Sequence, residues 1–309
     1  MYCLNLPSQD PFFNLAIEEY LLKTRKENFL ILYVNSPSVI IGKHQVANRE
    51  TDIQFVHENK IPVLRRISGG GTVYHDEGNL NFSFITQSTG GKQIDFKKYT
   101  LPVIKFLSVL GVEARFEGKN DLKVNGLKIS GNSEHVFGNR VLHHGTILYD
   151  ANLDILKKSI RKDTSKYLTR AVTSNPSHVI NLKVMMPDIK DINDLRSQMM
   201  LFFMDENGYK LIDLSPDEKK GIALLAVSKY NNWEWNYAYG PEYHFNNQFE
   251  IGEIKCSCSI FVKNGIIEKC DLTGSEEIRL FEKILTGKKH LYEELKELPG
   301  IENILSWIF

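Results

Sequence analysis

Arg65-Arg66-Ile67-Ser68-Gly69-Gly70-Gly71-Thr72-Val73-Tyr74-His75 is the stretch on which the reading of this chain turns. Three consecutive glycines lose more backbone entropy on folding than any other residues would, so their retention needs a reason. Close approach of backbone to a ligand is one. Successive exposed N–H groups in such a turn form a concave nest for anions, and Arg65 and Arg66 are placed to bring forked donors to a phosphate or carboxylate. The run matches neither Gly-x-x-x-x-Gly-Lys-Ser/Thr nor Gly-x-Gly-x-x-Gly, which would require glycine in place of Tyr74. Taken alone, the glycines describe an anion-binding turn or a loose surface hairpin, and the residues around them decide between the two.

The next informative stretch is Asp121-Leu122-Lys123-Val124-Asn125-Gly126-Leu127-Lys128-Ile129-Ser130-Gly131. Asn-Gly is a strong hairpin signal because both central residues of a type I′ turn need positive φ. A two-residue turn pairs Val124 with Leu127, Lys123 with Lys128 and Asp121 with Ser130, and alternation puts Asp121, Lys123, Lys128 and Ser130 on one face. Two lysines directly opposite each other are unfavourable by up to about 1 kcal/mol unless an anion or carboxylate relieves them. Asp121, diagonal to Lys128, is one such group, and a bound phosphate is another. Further on, His143-His144-Gly145-Thr146 offers imidazoles, but neighbouring residues of a strand point to opposite faces, so a polar wall beside a ligand is expected rather than zinc.

Working outward, Asp10-Pro11 reads as the N-cap and first residue of a helix carrying Phe13, Ala16, Ile17, Tyr20 and Leu21 inward. Phe29 to Val34, Val39 to Ile41 and Leu80 to Ile85 read as strands, and 94–110, 192–205 and 215–230 as helices. Asn264-Gly265 repeats the hairpin signal, followed by helices over 275–285 and 291–298. The polar, turn-rich stretch from Tyr239 to Gln248 reads as a linker. The expected class is α+β, with mixed and mainly antiparallel sheets flanked by helices. The expected division is a catalytic domain over 1–240, a linker over 241–248 and a small α+β domain over 249–309.

Composition narrows the function. A hydrophobic content of 42% and a charged content of 25% over 309 residues fit a globular chain with room for two unequal domains. Thirty-eight basic and 38 acidic residues cancel, so no field over the whole surface draws in nucleic acid or membrane, and neither is expected as a partner. The N-terminus lacks the pattern of a signal peptide and no run of about 18 apolar residues occurs, so a cytoplasmic location is expected. Cys3, Cys256, Cys258 and Cys270 make no Cys-x-x-Cys pair and read as reduced packing residues. No Gly-x-Ser-x-Gly or His-Glu-x-x-His is present, so hydrolase and metalloprotease readings lapse.

Together, Arg65-Arg66-x-Ser68-Gly69-Gly70-Gly71-Thr72-Val73-Tyr74-His75-Asp76-x-Gly78-Asn79, Asn120-Asp121-Leu122, Lys128-Ile129-Ser130-Gly131 and His143-His144-Gly145-Thr146 form an ordered set that resembles lipoate-protein ligase A. The likeness extends to Asn14–Glu19, Val39–Gln45 and Trp233–Asn236, and so spans most of residues 10–240. It departs at Val46-Ala47-Asn48, where the family often has Asn-Pro and an aromatic. The resemblance implies the biotin/lipoate ligase catalytic fold and a two-step reaction. Lipoate attacks the α-phosphate of ATP, with Mg²⁺ assisting, to give lipoyl-AMP and pyrophosphate. A lysine of an acceptor domain then takes the lipoyl group, the acceptors being acyltransferase (E2) subunits of 2-oxoacid dehydrogenases and the glycine-cleavage H protein. It further implies that Arg66 and the backbone of Gly71, Thr72, Val73 and Tyr74 hold ATP, and that Lys128 contacts both the lipoyl carbonyl and the α-phosphate. Asp121 is expected to place Mg²⁺ or orient Lys128. Gly70, Gly78, Asn79, His144 and Thr146 are expected around lipoate.

Two related enzymes remain open: a lipoyltransferase that uses preformed lipoyl-AMP, and an octanoyltransferase that works through a cysteine without ATP. No cysteine lies near the three motifs, which disfavours the second. A non-catalytic binder of lipoate or nucleotide is the reading from another class, and the retention of Lys128 and Asp121 argues against it.

Overall fold

The computed structural model describes residues 1–88, 94–161 and 163–309. Numbered along the chain, its strands make three sheets. The largest runs, in spatial order, β12 (Lys210–Leu211), β1 (Tyr2–Asn5), β2 (Phe29–Val34), β6 (Asn79–Gln87), β10 (Arg140–Leu148), β9 (Leu127–Phe137), β8 (Asp121–Val124) and β7 (Arg115–Glu117). All six residues of β2 and the first eight of β6 are buried, because helices cover both faces at the centre of this sheet. Helix α1 (Pro11–Thr24) packs on one face with Leu214 and Ile222 from later segments. The helices Phe96–Val109 and Ile192–Asn207 cover the other through Val103, Phe106, Leu195 and Phe203. As the sequence indicated, Asp10 caps α1 by accepting from the Phe12 amide, and Pro11 occupies its first turn.

A three-stranded sheet, β4 (Val63–Arg65), β3 (Ser38–Ile41) and β5 (Val73–His75), carries the glycine turn between β4 and β5. The third sheet orders β11 (Tyr167–Leu168), β13 (Tyr243–Ile251), β14 (Ile254–Lys263) and β15 (Ile266–Thr273). Asn125 and Asn264 have φ of 51° and 49°, each followed by a glycine at positive φ, so both hairpin turns form where the Asn-Gly pairs place them. Cys256 and Cys258 share the buried face of β14, as alternation required.

The linker reading of 241–248 is corrected here. Most of that stretch is β13, with Tyr243, Phe245, Asn247 and Phe249 inward and His244, Asn246, Gln248 and Glu250 outward. A buried asparagine hid the period of two. Asn247 occupies an inward position because its side chain donates to the Trp307 carbonyl at 2.9 Å, satisfying a polar group that would otherwise be costly to bury. The third sheet also shares a core with the second: Val39, Ile41, Val63 and Tyr74 cluster with Phe245, Ile260 and Leu285. Residues 243–251 should therefore resist limited proteolysis as a paired strand does. Phe245→Ala should cost about 3–5 kcal/mol in denaturant-induced unfolding. Early cleavage inside β13 would restore the linker.

Candidate active site

Arg65 and Arg66 shape the glycine turn. Arg65 is wholly buried, and its guanidinium donates to the carbonyls of Gly42, Lys43, Gln45, Trp235 and Asn236 at 2.6–3.1 Å. The expectation that Arg65 donates directly to an anion is thereby corrected: its donors are spent on backbone. Arg66 donates to the carbonyls of Ile40 (3.1 Å), Gly69 (2.6 Å) and Gly71 (2.7 Å) and to Ser68 Oγ (3.0 Å). Burial lowers both guanidiniums to about 10. In a trans peptide the C=O and the following N–H point in opposite directions. Drawing the Gly69 and Gly71 carbonyls onto Arg66 therefore turns the N–H groups of Gly70 and Thr72 away from it. Gly70 holds φ at +86°, a left-handed conformation that suits glycine. The nest is built by carbonyl capture.

Beneath the turn runs a buried polar chain. Ser68 Oγ meets His144 Nε2 at 2.6 Å, and His144 Nδ1 meets Glu18 Oε2 at 2.9 Å. Glu18 also accepts from Tyr33 at 2.8 Å and from Ser83. Burial pushes the Glu18 carboxyl up, but the His144 charge and these hydrogen bonds outweigh it and hold the group below its ordinary value. His143 points to the opposite face of β10, bonded to Glu134 at 2.9 Å and stacked on Tyr99, as strand alternation requires. Among the described residues no group of three His, Cys, Asp or Glu is placed to hold a metal ion by itself.

The β8–β9 hairpin keeps the expected pairs Val124–Leu127 and Lys123–Lys128, but its register then shifts. Ile129 is an extra residue on β9, so Leu122 faces Ser130 and Asp121 faces Gly131, which corrects the expected Asp121–Ser130 pair. The bulge lets Leu122, Val124 and Ile129 all reach the core. The opposed lysines are relieved by carboxylates: Lys123 lies 3.4 Å from Glu117 and Lys128 lies 2.8 Å from Asp121. A Cβ at Gly131 would come within 3.2–3.3 Å of Cε and Nζ of Lys128, so glycine there leaves the ammonium its room.

These parts enclose one cavity of about 640 Å³. Arg66, residues 69–73 and His75 line it together with Asp121, Lys128, Gly131, His144 and Thr146. Of the residues singled out from sequence, Tyr74, Gly78 and Asn79 lie outside the lining. The Tyr74 side chain is buried in the core shared by the second and third sheets. Gly78 is bare because a Cβ would stand 2.1 Å from the Asp150 carbonyl oxygen. Asn79 donates to Asn81, and it is Asn81 that reaches the cavity. Sequence reasoning gave no role to Glu18, which fell within the Asn14–Glu19 likeness and here bonds His144, and it missed the strap 172–177, whose Thr-Ser-Asn-Pro-Ser run has the composition of any surface loop.

His75 accepts from Asn35 at Nδ1 (3.0 Å), which places its proton on Nε2. Burial, helped by the Arg66 and His144 charges, lowers it to about 3, and burial lowers His290 to about 4. Both therefore stay neutral in the fold while the unfolded chain takes up protons near pH 6.5. Stability should be full above about pH 6.5 and decline as pH falls towards 4, by about 1.4 kcal/mol per pH unit for each of these protons. Denaturant unfolding at stepped pH checks this; a flat profile from about pH 6 to 5 would contradict two neutral buried histidines.

Residues 10–204 match the family model of the lipoyl protein ligase A/B catalytic domain. The chain is 38% identical over 295 residues to the lipoate-protein ligase LplJ of Bacillus subtilis, an alignment covering 91% of this chain and 88% of that one. It is 35% identical over 296 residues to lipoate-protein ligase 1 of Staphylococcus aureus, covering 93% and 90%. Among solved structures, a putative lipoate protein ligase from T. acidophilum with bound lipoic acid superposes with a TM-score of 0.64 at 25% identity, covering 76% of this chain and 98% of that one. A lipoate-protein ligase A bound with ATP superposes with a TM-score of 0.64 at 26% identity, covering 76% and 97%. With the glycine turn, Lys128 and His144 gathered around one cavity, and with relatives matched over nearly their whole length, this chain belongs to the lipoate-protein ligase family.

Proposed function

We propose that the chain condenses lipoate with ATP to lipoyl-AMP and pyrophosphate, then passes the lipoyl group to a lysine of an acceptor domain. The observation that carries this reading is the Lys128 ammonium, 2.8 Å from Asp121, lining the same cavity as the glycine turn. Adenylation brings a carboxylate against the α-phosphate, so two anions must approach each other. A fixed ammonium between them lowers that repulsion most in a site that excludes water. Lys128 thus acts electrostatically, contacting the lipoyl carbonyl and the α-phosphate. The N–H groups along Gly71, Thr72 and Val73 hold the phosphates, with Arg66 keeping the turn in shape. His144, Thr146 and the Gly70 backbone border the acyl chain. Tyr74, Gly78 and Asn79 support these walls from behind.

Asp121 is the carboxylate of this wall that suits Mg²⁺, an ion that is usually held by one or two carboxylates while phosphates and waters fill its other positions. When bound with the nucleotide, Mg²⁺ would neutralise phosphate charge. In its absence Asp121 orients Lys128. The cavity-lining residues all precede residue 178, which supports a catalytic unit within 1–240 and an accessory role for the C-terminal sheet and helices.

A cysteine mechanism has no support: the four thiols are buried, none lines the cavity, and burial raises Cys3 to about 11 and Cys258 and Cys270 to about 12. For acceptors, the T. acidophilum lipoylation system comprises a bi-partite lipoate protein ligase and its E2 lipoyl domain, and we extend that class to this chain and to the glycine-cleavage H protein. No helix among the described residues is long and apolar enough to cross a membrane, in keeping with action on cytoplasmic acceptors.

Lipoate-dependent ATP–pyrophosphate exchange tests the reading. Wild-type protein should exchange, and Lys128→Ala should lose at least about a hundredfold in rate while melting normally, the order seen when an oxyanion-stabilising donor is removed. Gly131→Ala, which crowds the same ammonium, should slow exchange about tenfold. Binding of lipoyl-AMP without any exchange would instead identify a lipoyltransferase.

A further inference from the structure

The strap 172–177 is the portion of the cavity wall that no motif announced. It is tied down on both sides. Val172 N–H donates to the His44 carbonyl at 3.1 Å; beyond the strap, Lys128 N–H donates to the His178 carbonyl at 2.9 Å, and Ile180 N–H to the Lys128 carbonyl at 3.0 Å. Between these points Ser174 is seated on the glycine turn. Its Oγ accepts from the Thr72 amide at 2.9 Å and from Gln45 Nε2 at 3.0 Å, and it donates to Glu50 Oε2. The Ser174 amide donates to the same carboxylate oxygen at 3.2 Å. No side chain intervenes, because a Cβ at Gly71 would lie 3.2 Å from Ser174 Oγ.

Glu50 is 2% exposed, and its second oxygen meets no partner among the described residues. Such a carboxylate is expensive to bury, and what it does here is aim one hydroxyl. That hydroxyl sits on the Thr72 amide, which the Arg66–Gly71 contact turns outward. A neutral oxygen therefore fills a place suited to an anionic one. A phosphate oxygen in the same place makes a charge-assisted bond roughly twice as strong as the neutral one it replaces.

We propose that Ser174 Oγ is a placeholder for a phosphate oxygen on the Thr72 amide, and that Glu50 is the positioning residue that holds it there. The inference rests on the ATP reading above. Entry of the triphosphate displaces Ser174, removes the strap's hold on the turn, and frees a segment whose continuation is hydrogen-bonded to the backbone of Lys128. Nucleotide arrival is thereby mechanically connected to the residue that acts on the α-phosphate.

The test uses the full chain as wild type, Ser174→Ala, Glu50→Gln and the double variant. Titration calorimetry is run with ATP and separately with inorganic tripolyphosphate, and hydrogen exchange is followed in the peptide containing Thr72. In Ser174→Ala the Thr72 amide should exchange faster, and both anions should bind about three- to tenfold tighter, the worth of one neutral hydrogen bond. KM for ATP in the pyrophosphate-exchange assay should fall in step, with kcat changed by less than about twofold. Glu50→Gln should move in the same direction, and the double variant should gain less than the product of the single gains because both act through one contact. Anion binding that is unchanged or weaker in Ser174→Ala, or unaltered Thr72 exchange, overturns the placeholder. Tripolyphosphate binding requires no acyl chemistry, which separates the two readings. A wild type that never exchanges pyrophosphate sinks the ligase reading while the tripolyphosphate comparison still decides the placeholder. Normal exchange with an unaltered KM in Ser174→Ala sinks the placeholder alone.

Discussion

Two guanidiniums buried without carboxylate contacts of their own set the geometry on which this site depends. A charge taken out of water must recover hydration from fixed dipoles, and Arg65 and Arg66 do so by collecting backbone carbonyls. Arg65 binds the 42–45 loop to Trp235 and Asn236, which brings a late segment of the chain against the start of the turn. Arg66 gathers Gly69 and Gly71 around its own head. Gly70 is needed because its φ is +86° and a Cβ there would lie 3.0 Å from Arg66 Nη2, and the outward-facing amides follow from peptide planarity. On the proposed reading, anion affinity is a by-product of satisfying two buried cations.

The remaining electrostatics are arranged around that turn. Glu18 lies within reach of the Arg66 charge and is joined through His144 to Ser68, so a buried hydrogen-bonded chain reaches the cavity wall at His144. Such a network specifies one arrangement of side chains because each member is satisfied only in that arrangement. Lys128 stands apart, its side chain 21% exposed and paired with one carboxylate at the cavity wall, where a ligand can reach it. Rigid groups form the cradle, and the adaptable one faces its contents.

Much of this was legible in the residues. The Asp10-Pro11 start, both Asn-Gly turns and the opposite orientation of His143 and His144 depend only on local backbone rules, and they hold. The conflict between Lys123 and Lys128 was visible too, and the structure resolves it with Glu117 and Asp121. The Ile129 bulge was not visible, because it arises from fitting Leu122, Val124 and Ile129 into one core, a demand of packing rather than of the turn. The strand across the expected linker was hidden by Asn247, whose place inside is licensed by the Trp307 carbonyl sixty residues later.

The sequence by itself determined the kinds of chemistry available: a bare turn, a lysine presented beside an aspartate, thiols without partners and no surplus charge. Those properties follow from residue types and near neighbours. The tertiary structure decided which groups act and which support. Arg65, Gly78 and Asn79 carry the marks of a binding motif, yet Arg65 and Gly78 are engaged with backbone and Asn79 donates to the Asn81 side chain. Ser174, which no motif marks, meets the turn with Glu50 behind it because distant segments are folded together there. A side chain's role depends on which partners remain for it after the core has formed, and that accounting closes only in three dimensions.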